Sequence, residues 1–367
     1  MKNPIKIFLV SNMYPSPENP SYGIFVKNSE DILQKGDFII SAKAVIAGRG
    51  KNIFEKIKKY IIFYWQIFYF GLKADCNLVY VHYVSHTALP LIFLRLFSKK
   101  KLVVNVHGSD VIPAKFFHRP LFYFSKILCR QANLVVTPSE YFKNVVMEKY
   151  KVSAQKIFVY PSGGIDMNFF KPLHRNENSG KFYPGFVSRI TKNKGWDVYL
   201  KALHYIKQNH PEIKFQGIVV GDGDERNFFL QMIHELSIEN EISYFGAMAQ
   251  KDLPDFYNKM DVFIFPSSRL AESLGLVGLE AMACKIPVIG AKQGGCMEYV
   301  ADNENGFLFE VGNYKSLAEK MVKYHLLSQE EKNKFKEKAH LTVLKFEKNT
   351  VSQKLFEQLK NLNYNRE

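Results

Sequence analysis

Two glutamates, Glu272 and Glu280, lie eight positions apart in AESLGLVGLEAMACKIPVIG, residues Ala271–Gly290. Glu272 heads a short Gly-containing turn, and Glu280 falls inside an apolar helical run that leads into a strand at Ile286–Gly290. A helix beginning near Gly275 points its free amides and the positive end of its dipole at whatever lies beside Glu272, which suits a phosphate. Eight helical residues rise about 12 Å, comparable to the span from a sugar, across a diphosphate, to a ribose. One carboxylate can then hold sugar hydroxyls and the other a ribose diol. The spacing fits a nucleotide sugar.

Other residues join this pair. Arg189 and Lys194, in SRITKNKGWD, can converge on one diphosphate and neutralise charge growing on a leaving group. Alone they would read as two surface cations in a loop; the glutamate pair reverses that weighing. His107, in VHGSD, ends a strand, where ligands bind in open α/β sheets. Asp110 reads as a cap or a histidine orienter. His82 and His86, in VHYVSHTALP, either line an acceptor cleft or are structural. Gly23 closes the Pro-rich loop Asn12–Asn28 and permits close backbone approach to a phosphate. This is not G-x-G-x-x-G, so a nicotinamide fingerprint is absent. Asp222 and Asp224, in GDGDER, form a D-x-D pattern. We read it as turn and helix-cap chemistry, since divalent sites usually need further converging carboxylates.

These residues must be positioned by an alternation of strands and helices. In the first half the strand candidates are Ile5–Val10, Phe38–Ile46, Leu78–His82, Leu102–Val106, Leu134–Thr137 and Ile157–Tyr160. In the second they are Phe182–Val187, Phe215–Val220, Ile242–Phe245, Val262–Pro266, Pro287–Gly290 and Gly306–Phe309. Short Val-, Ile- and Phe-rich runs bounded by Gly, Pro and Asn are what buried parallel strands look like. The alternation predicts an α/β chain, and its length predicts two doubly wound sheets. The polar, Gly- and Pro-rich stretch 161–181 marks the boundary. A last helix, about Thr342–Leu362, is expected to cross back onto the first domain. The predicted division is 1–165, 166–341 and 342–367.

The 367 residues, 47% of them hydrophobic, can build two ordinary cores. Four scattered cysteines, Cys76, Cys129, Cys284 and Cys296, argue against a zinc site or disulfide framework and fit a reducing compartment. Cys284 and Cys296 are expected to pack as small apolar residues. Met1–Val10 reads as a first strand rather than a signal peptide, ending in the turn chemistry of SNMYPSP. No apolar run is long enough for a transmembrane helix. The net charge of +15 is uneven: residues 1–166 hold 23 Lys and Arg against 10 Asp and Glu, and the remainder 27 against 25. Such a field favours an anionic partner: a membrane surface, a nucleic acid or a phosphorylated acceptor. Within it, Lys51–Lys73 reads equally as a buried core helix or as an interfacial membrane helix.

Taken together, the E-x7-E segment, Arg189 with Lys194, GDGDER, His107 and PSGGID resemble the retaining family-4 glycosyltransferases of GT-B fold. The opening SNMYPSPENPSYGIFVKN is similar to the subgroup of bacterial surface-polysaccharide clusters. The resemblance implies two Rossmann-like domains facing across a cleft, an acceptor-binding N-terminal domain and a nucleotide-sugar-binding C-terminal one. It implies that Glu272 contacts the donor sugar and Glu280 the ribose, while Arg189 and Lys194 hold the diphosphate. The amides of the Ser273–Leu274–Gly275–Leu276 turn assist them. Gly23 approaches the phosphates, His107 lies near the anomeric centre, and the Phe245–Gly246–Ala247–Met248 turn reads the base. Ser162 stands where the family more often has Asn, and a long loop replaces a compact double-Gly turn near Gly23.

The expected reaction is retaining transfer from a UDP- or GDP-linked sugar to a hydroxyl of a lipid-linked or polysaccharide acceptor in cell-surface glycan synthesis. No metal and no cofactor beyond the nucleotide-sugar co-substrate are expected. The anticipated setting is cytoplasmic, peripheral at the inner membrane face, with the basic N-terminal domain on an anionic membrane surface. A nucleotide-sugar epimerase or hydrolase of the same fold is the alternative enzyme. A basic non-enzymatic binding protein is the remaining class, but nucleic acid is not the expected partner, because no recognition motif accompanies the charge.

Overall fold

The computed structural model describes residues 4–112, 119–173 and 180–364. Residues 174–179, part of the expected boundary stretch, lie outside them. The chain forms two compact units, Met1–Gly164 with Asn349–Glu367, and Ile165–Lys348.

The first unit runs β1 (Ile5–Tyr14), α1 (Ile24–Lys35), β2 (Phe38–Ala47), α2 (Ile53–Lys73), β3 (Leu78–His82), α3 (Val84–Leu94), β4 (Lys101–Asn105), α4 (Arg119–Gln131), β5 (Leu134–Thr137), α5 (Glu140–Val145) and β6 (Ile157–Val159). Its strands form one parallel sheet in the order β2-β1-β3-β4-β5-β6. All residues of β3 and β5 are buried, as expected for strands covered on both faces.

The second unit runs β7 (Pro184–Val187), α6 (Trp196–Asn209), β8 (Gly217–Val220), α7 (Arg226–Glu235), β9 (Ile242–Tyr244), α8 (Leu253–Tyr257), β10 (Val262–Phe265), α9 (Leu276–Ala283), β11 (Val288–Ala291), β12 (Gly306–Phe309), α10 (Tyr314–Leu326) and α11 (Gln329–Val343). Its sheet, ordered β12-β11-β10-β7-β8-β9, is also parallel. The α/β fold with two doubly wound sheets is therefore present.

Helix α12 (Lys348–Tyr364) returns the chain to the first unit. Its residues Val351, Leu355 and Leu359 join the cluster of Ile5, Ile7, Leu33 and Phe38. Their spacing of four puts them on one helix face.

Two elements differ from the sequence expectation. β1 does not stop at Val10 but continues through Ser11–Tyr14. Ser11 pairs with both Val45 and His82 and is fully buried, so its position inside the sheet overrides its turn propensity. The last helix begins at Lys348 rather than near Thr342, because α11 ends at Val343 and a short 3₁₀ turn, Leu344–Phe346, follows. That break frees the Phe346 carbonyl to accept from the Ile165 amide at 2.8 Å, while the Lys348 amide donates to Ile165 O at 2.9 Å.

Candidate functional site

In the second unit the chain builds β7, β8 and β9 outward on one side of the sheet, then returns to build β10, β11 and β12 on the other. The order reverses between β7 and β10, and in a parallel sheet a crevice opens at that switch, beyond the strand carboxyl ends. The predicted residues gather there. Arg189 follows β7 and is exposed, and Lys194 lies further along the same loop. Glu272 follows β10.

The Lys194 ammonium donates to Glu272 Oε2 at 2.5 Å, joining positions 78 residues apart in sequence. Ser267 Oγ donates to the same oxygen at 3.2 Å. Both charged side chains are largely covered, 12% and 19% exposed, so their attraction is screened less than on an open surface. Oε1 of Glu272 makes no hydrogen bond among the described residues and is available to a ligand. The loop is held by backbone contacts, with the Ser268 amide donating to Asn193 O at 3.0 Å. It enters α6 through Gly195, whose φ of +78° suits glycine. A Cβ there would overlap the Pro266 carbonyl oxygen.

Helix α9 starts where the spacing placed it. Gly275, at φ +80°, is its N-cap and supplies no side-chain cap. The amides of Leu274, Gly275, Leu276 and Val277 therefore have no acceptor among the described residues and remain donors at a helix start. Tyr299 supports the turn by donating its hydroxyl to Gly275 O at 3.1 Å. The Gly294–Gly295 turn after β11 packs against its backbone, since a Cβ on Gly295 would lie 2.7 Å from Leu274 Cα and Ser273 O.

Glu280, about one turn further along α9, is buried and accepts from the Tyr257 hydroxyl at 2.8 Å. Burial pushes its carboxyl up to about 7, against the lowering effect of the Tyr257 bond. The Phe245–Met248 turn follows β9, the outermost strand, at the carboxyl end of the same sheet. Gly246 O accepts from the Gly221 amide at 2.7 Å, and the Phe245 and Met248 side chains are partly exposed. Asp222 Oδ1 accepts from the Gly223 amide at 2.8 Å, which is turn chemistry. Among the described residues no group of three or more His, Cys, Asp or Glu gathers for a metal.

The first unit has its own switch point, between β1 and β3. Gly23, at φ +70°, caps α1, and a Cβ there would lie 2.5 Å from the Met13 carbonyl carbon. The chain's own backbone thus already requires this glycine. Two residues on, the Phe25 ring packs 4.4 Å from the imidazole of His107. His107 Nε2 lies 2.9 Å from Nδ1 of fully buried His82, so one nitrogen of each ring is engaged. Burial lowers both imidazoles, His107 to about 3, and the pair is neutral at physiological pH. Asp110 fixes the frame, accepting from the His107 amide at 2.8 Å and the Val84 amide at 3.0 Å. His86 pairs with Ser85 at 3.0 Å. Separately, a cavity of about 300 Å³ is lined by Tyr22, Arg49, Lys56, Lys59 and Tyr60 among others, a basic lining that suits an anion.

Sequence reasoning missed Ser267, Tyr257, Tyr299 and the Gly294–Gly295 turn. Only the last carried a readable signal, a double glycine shortly after a strand.

Residues 170–342 match the family model described as glycosyl transferases group 1, and residues 33–167 match that of glycosyltransferase family 4. An uncharacterised glycosyltransferase of Methanocaldococcus jannaschii is 29% identical over 68% of this chain and 66% of its own length. The capsular polysaccharide biosynthesis glycosyltransferase CapM of Staphylococcus aureus is 28% identical over 60% of each chain. In both, the match spans less than two thirds of the relative. Among solved structures, Anabaena HepE in complex with UDP-glucose superposes with a TM-score of 0.74 at 21% identity, covering 97% of this chain and all of that one.

Proposed function

Since the chain belongs to the family-4 glycosyltransferases of GT-B fold, we propose that it moves a sugar from a nucleoside diphosphate to an acceptor hydroxyl with retention of anomeric configuration. The observation that carries this reading is the Lys194–Glu272 pair beside the open amides of α9, at the switch point of the second sheet. It joins a carboxylate able to grip sugar hydroxyls to a cation able to grip the adjoining phosphate.

In this reading Glu272 receives sugar hydroxyls on Oε1, and Lys194, Arg189 and the amides of Ser273, Leu274, Gly275 and Leu276 surround the diphosphate. Glu280 holds the ribose, and the Phe245, Gly246 and Met248 turn meets the base. Gly23 and His107 belong to the first unit's share of the reaction, with His107 a neutral imidazole near the anomeric carbon. The bond from C1 to the diphosphate oxygen breaks, and the acceptor oxygen bonds to C1 on the same face. The acceptor's proton passes to the departing diphosphate. Arg189, Lys194 and the amides stabilise that leaving group electrostatically, the service a divalent metal gives elsewhere. The reaction is therefore proposed to be metal-independent.

The donor is proposed to be UDP- or GDP-linked, and the HepE complex with UDP-glucose supports the first. The acceptor is proposed to be a lipid-linked or polysaccharide hydroxyl of a cell-surface glycan at the inner membrane face. The likeness to CapM and the basic cavity of the first unit support that choice.

The test is release of nucleoside diphosphate from a panel of UDP- and GDP-sugars, with and without membrane-lipid extract as acceptor. Acceptor-dependent release, abolished in folded Glu272→Ala and Lys194→Ala variants, is expected. Full activity in both variants refutes the site. Turnover that ignores acceptor would favour a hydrolase or epimerase instead.

A further inference from the structure

Helix α2 presents an unusual surface. Phe54, Ile57, Ile61, Trp65, Tyr69 and Leu72 are all exposed, Phe54 by 80% and Ile61 by 64%. Their spacing of three or four places them on one face. Phe63, Ile67 and Gly71 occupy the opposite face and are its buried residues. The exposed stripe runs about 27 Å along the helix. Beyond it, Gly71 packs against Leu94 and the Lys100 ammonium donates to the Gly71 carbonyl at 3.0 Å, fixing the end of α3 beside the end of α2. Leu96 and Phe97, 73% and 72% exposed, follow directly. An apolar area of this size is not left open without a use.

We propose that this face is a membrane-docking surface that lies in the headgroup layer of an anionic bilayer, with the apolar stripe at the acyl boundary. Charge selects the occupant. Of the four lysines of α2, Lys56 and Lys59 turn to the cavity on its other side, which leaves Lys58 and, at the helix end, Lys73 beside the stripe; the helix's one glutamate, Glu55, is already taken by Lys59 at 3.4 Å and by the Lys51 amide at 2.7 Å. Lys58 lies on the apolar face itself, one turn after Phe54 and one before Ile61. Arg95 and Lys99 flank Leu96 and Phe97. A second copy of this chain would bring lysine against lysine, whereas anionic headgroups complement them. Trp65 and Tyr69 stack at 4.9 Å within the stripe, and such amphipathic rings favour the membrane–water interface. No helix among the described residues is long and apolar enough to cross a membrane. The helix therefore lies on the surface rather than spanning it. The proposal does not depend on the transferase reading.

The chain has two tryptophans, and Trp196 is buried and bonded to Glu225, so a change of emission on docking belongs to Trp65. The experiment mixes the full chain with vesicles of phosphatidylcholine containing about one third phosphatidylglycerol, and with pure phosphatidylcholine. Co-sedimentation with the anionic vesicles is expected, with a blue shift of Trp65 emission and its quenching by brominated lipid chains. The Phe54→Glu, Ile61→Glu double variant, both changes at exposed positions, should keep its far-ultraviolet spectrum and lose vesicle affinity at least roughly tenfold. Absence of vesicle binding overturns the proposal. So does binding without a change at Trp65, an unaltered affinity in the double variant, or a dimer of the parent chain that the double variant makes monomeric. None of these readouts uses a nucleotide sugar, so failure here leaves the proposed reaction untouched.

Discussion

Replacing Glu280 by glutamine should change how stability depends on pH, in a direction that the burial of this carboxyl dictates. In the folded chain its pKa rises to about 7 from the ordinary 4.5 because burial disfavours the charge. Between those two values the folded chain retains a proton that the unfolded chain has released. The contribution of this carboxyl to stability is therefore fully present below about 4.5 and is lost as pH climbs through 7. A difference of about 2.5 between the two values, at about 1.4 kcal/mol for each, makes the loss roughly 3–3.5 kcal/mol. The side chain introduced by Glu280→Gln cannot ionise, yet its amide oxygen can still accept from Tyr257. The variant should thus be near parental stability at pH 5 and more stable than the parent by up to about 3 kcal/mol at pH 8. Other titrating groups, Asp110 among them with its carboxyl raised to about 6, are common to both proteins and cancel in the difference. The measurement is urea unfolding at both pH values in a Trp65→Phe background, where Trp196 in α6 reports the second unit alone. A Tyr257→Phe variant adds a second arm: losing the bond that lowers the Glu280 pKa should extend the decline to higher pH and so enlarge it. Equal losses in parent and Glu280→Gln between pH 5 and 8 would refute the reasoning.

Two further outcomes follow from the backbone and the first unit. Gly195→Ala forces a side chain onto φ +78° and into the Pro266 carbonyl, and should cost about 2 kcal/mol or more, read as a fall in thermal midpoint of several degrees. Asp110→Asn replaces one of two accepting oxygens by a donor facing an amide; a loss of about 1–3 kcal/mol is expected in urea unfolding, together with a reduced kcat as the His107 loop loosens.

How far the sequence carried depended on whether a feature was local. The strands, the start of α9 at Gly275 and the strand-end place of His107 were legible, because turn residues and apolar runs act over a few positions. The Lys194–Glu272 bond was not, since it joins loops 78 residues apart and follows from the neighbouring of β7 and β10, which no local pattern encodes. Tyr257 was hidden for the same reason: an aromatic residue in a short helix looks like core until its hydroxyl is seen to meet Glu280. The polar stretch Ser11–Tyr14 read as a turn, yet pairing with neighbouring strands kept it extended. Helix α2 is apolar on nearly every face, so its sequence left core and membrane equally open. Packing buries only one side of it.

The central claim is that Lys194 and Glu272 hold the diphosphate sugar of a nucleotide donor. Titration calorimetry of the parent chain and its Lys194→Ala variant, with UDP, GDP and their glucose conjugates, tests it most directly. The account predicts saturable binding of at least one such ligand by the parent, weakened at least roughly tenfold when this charge-assisted phosphate contact is removed. Binding of equal strength in the two proteins, or no binding of any nucleotide by the parent, would contradict it.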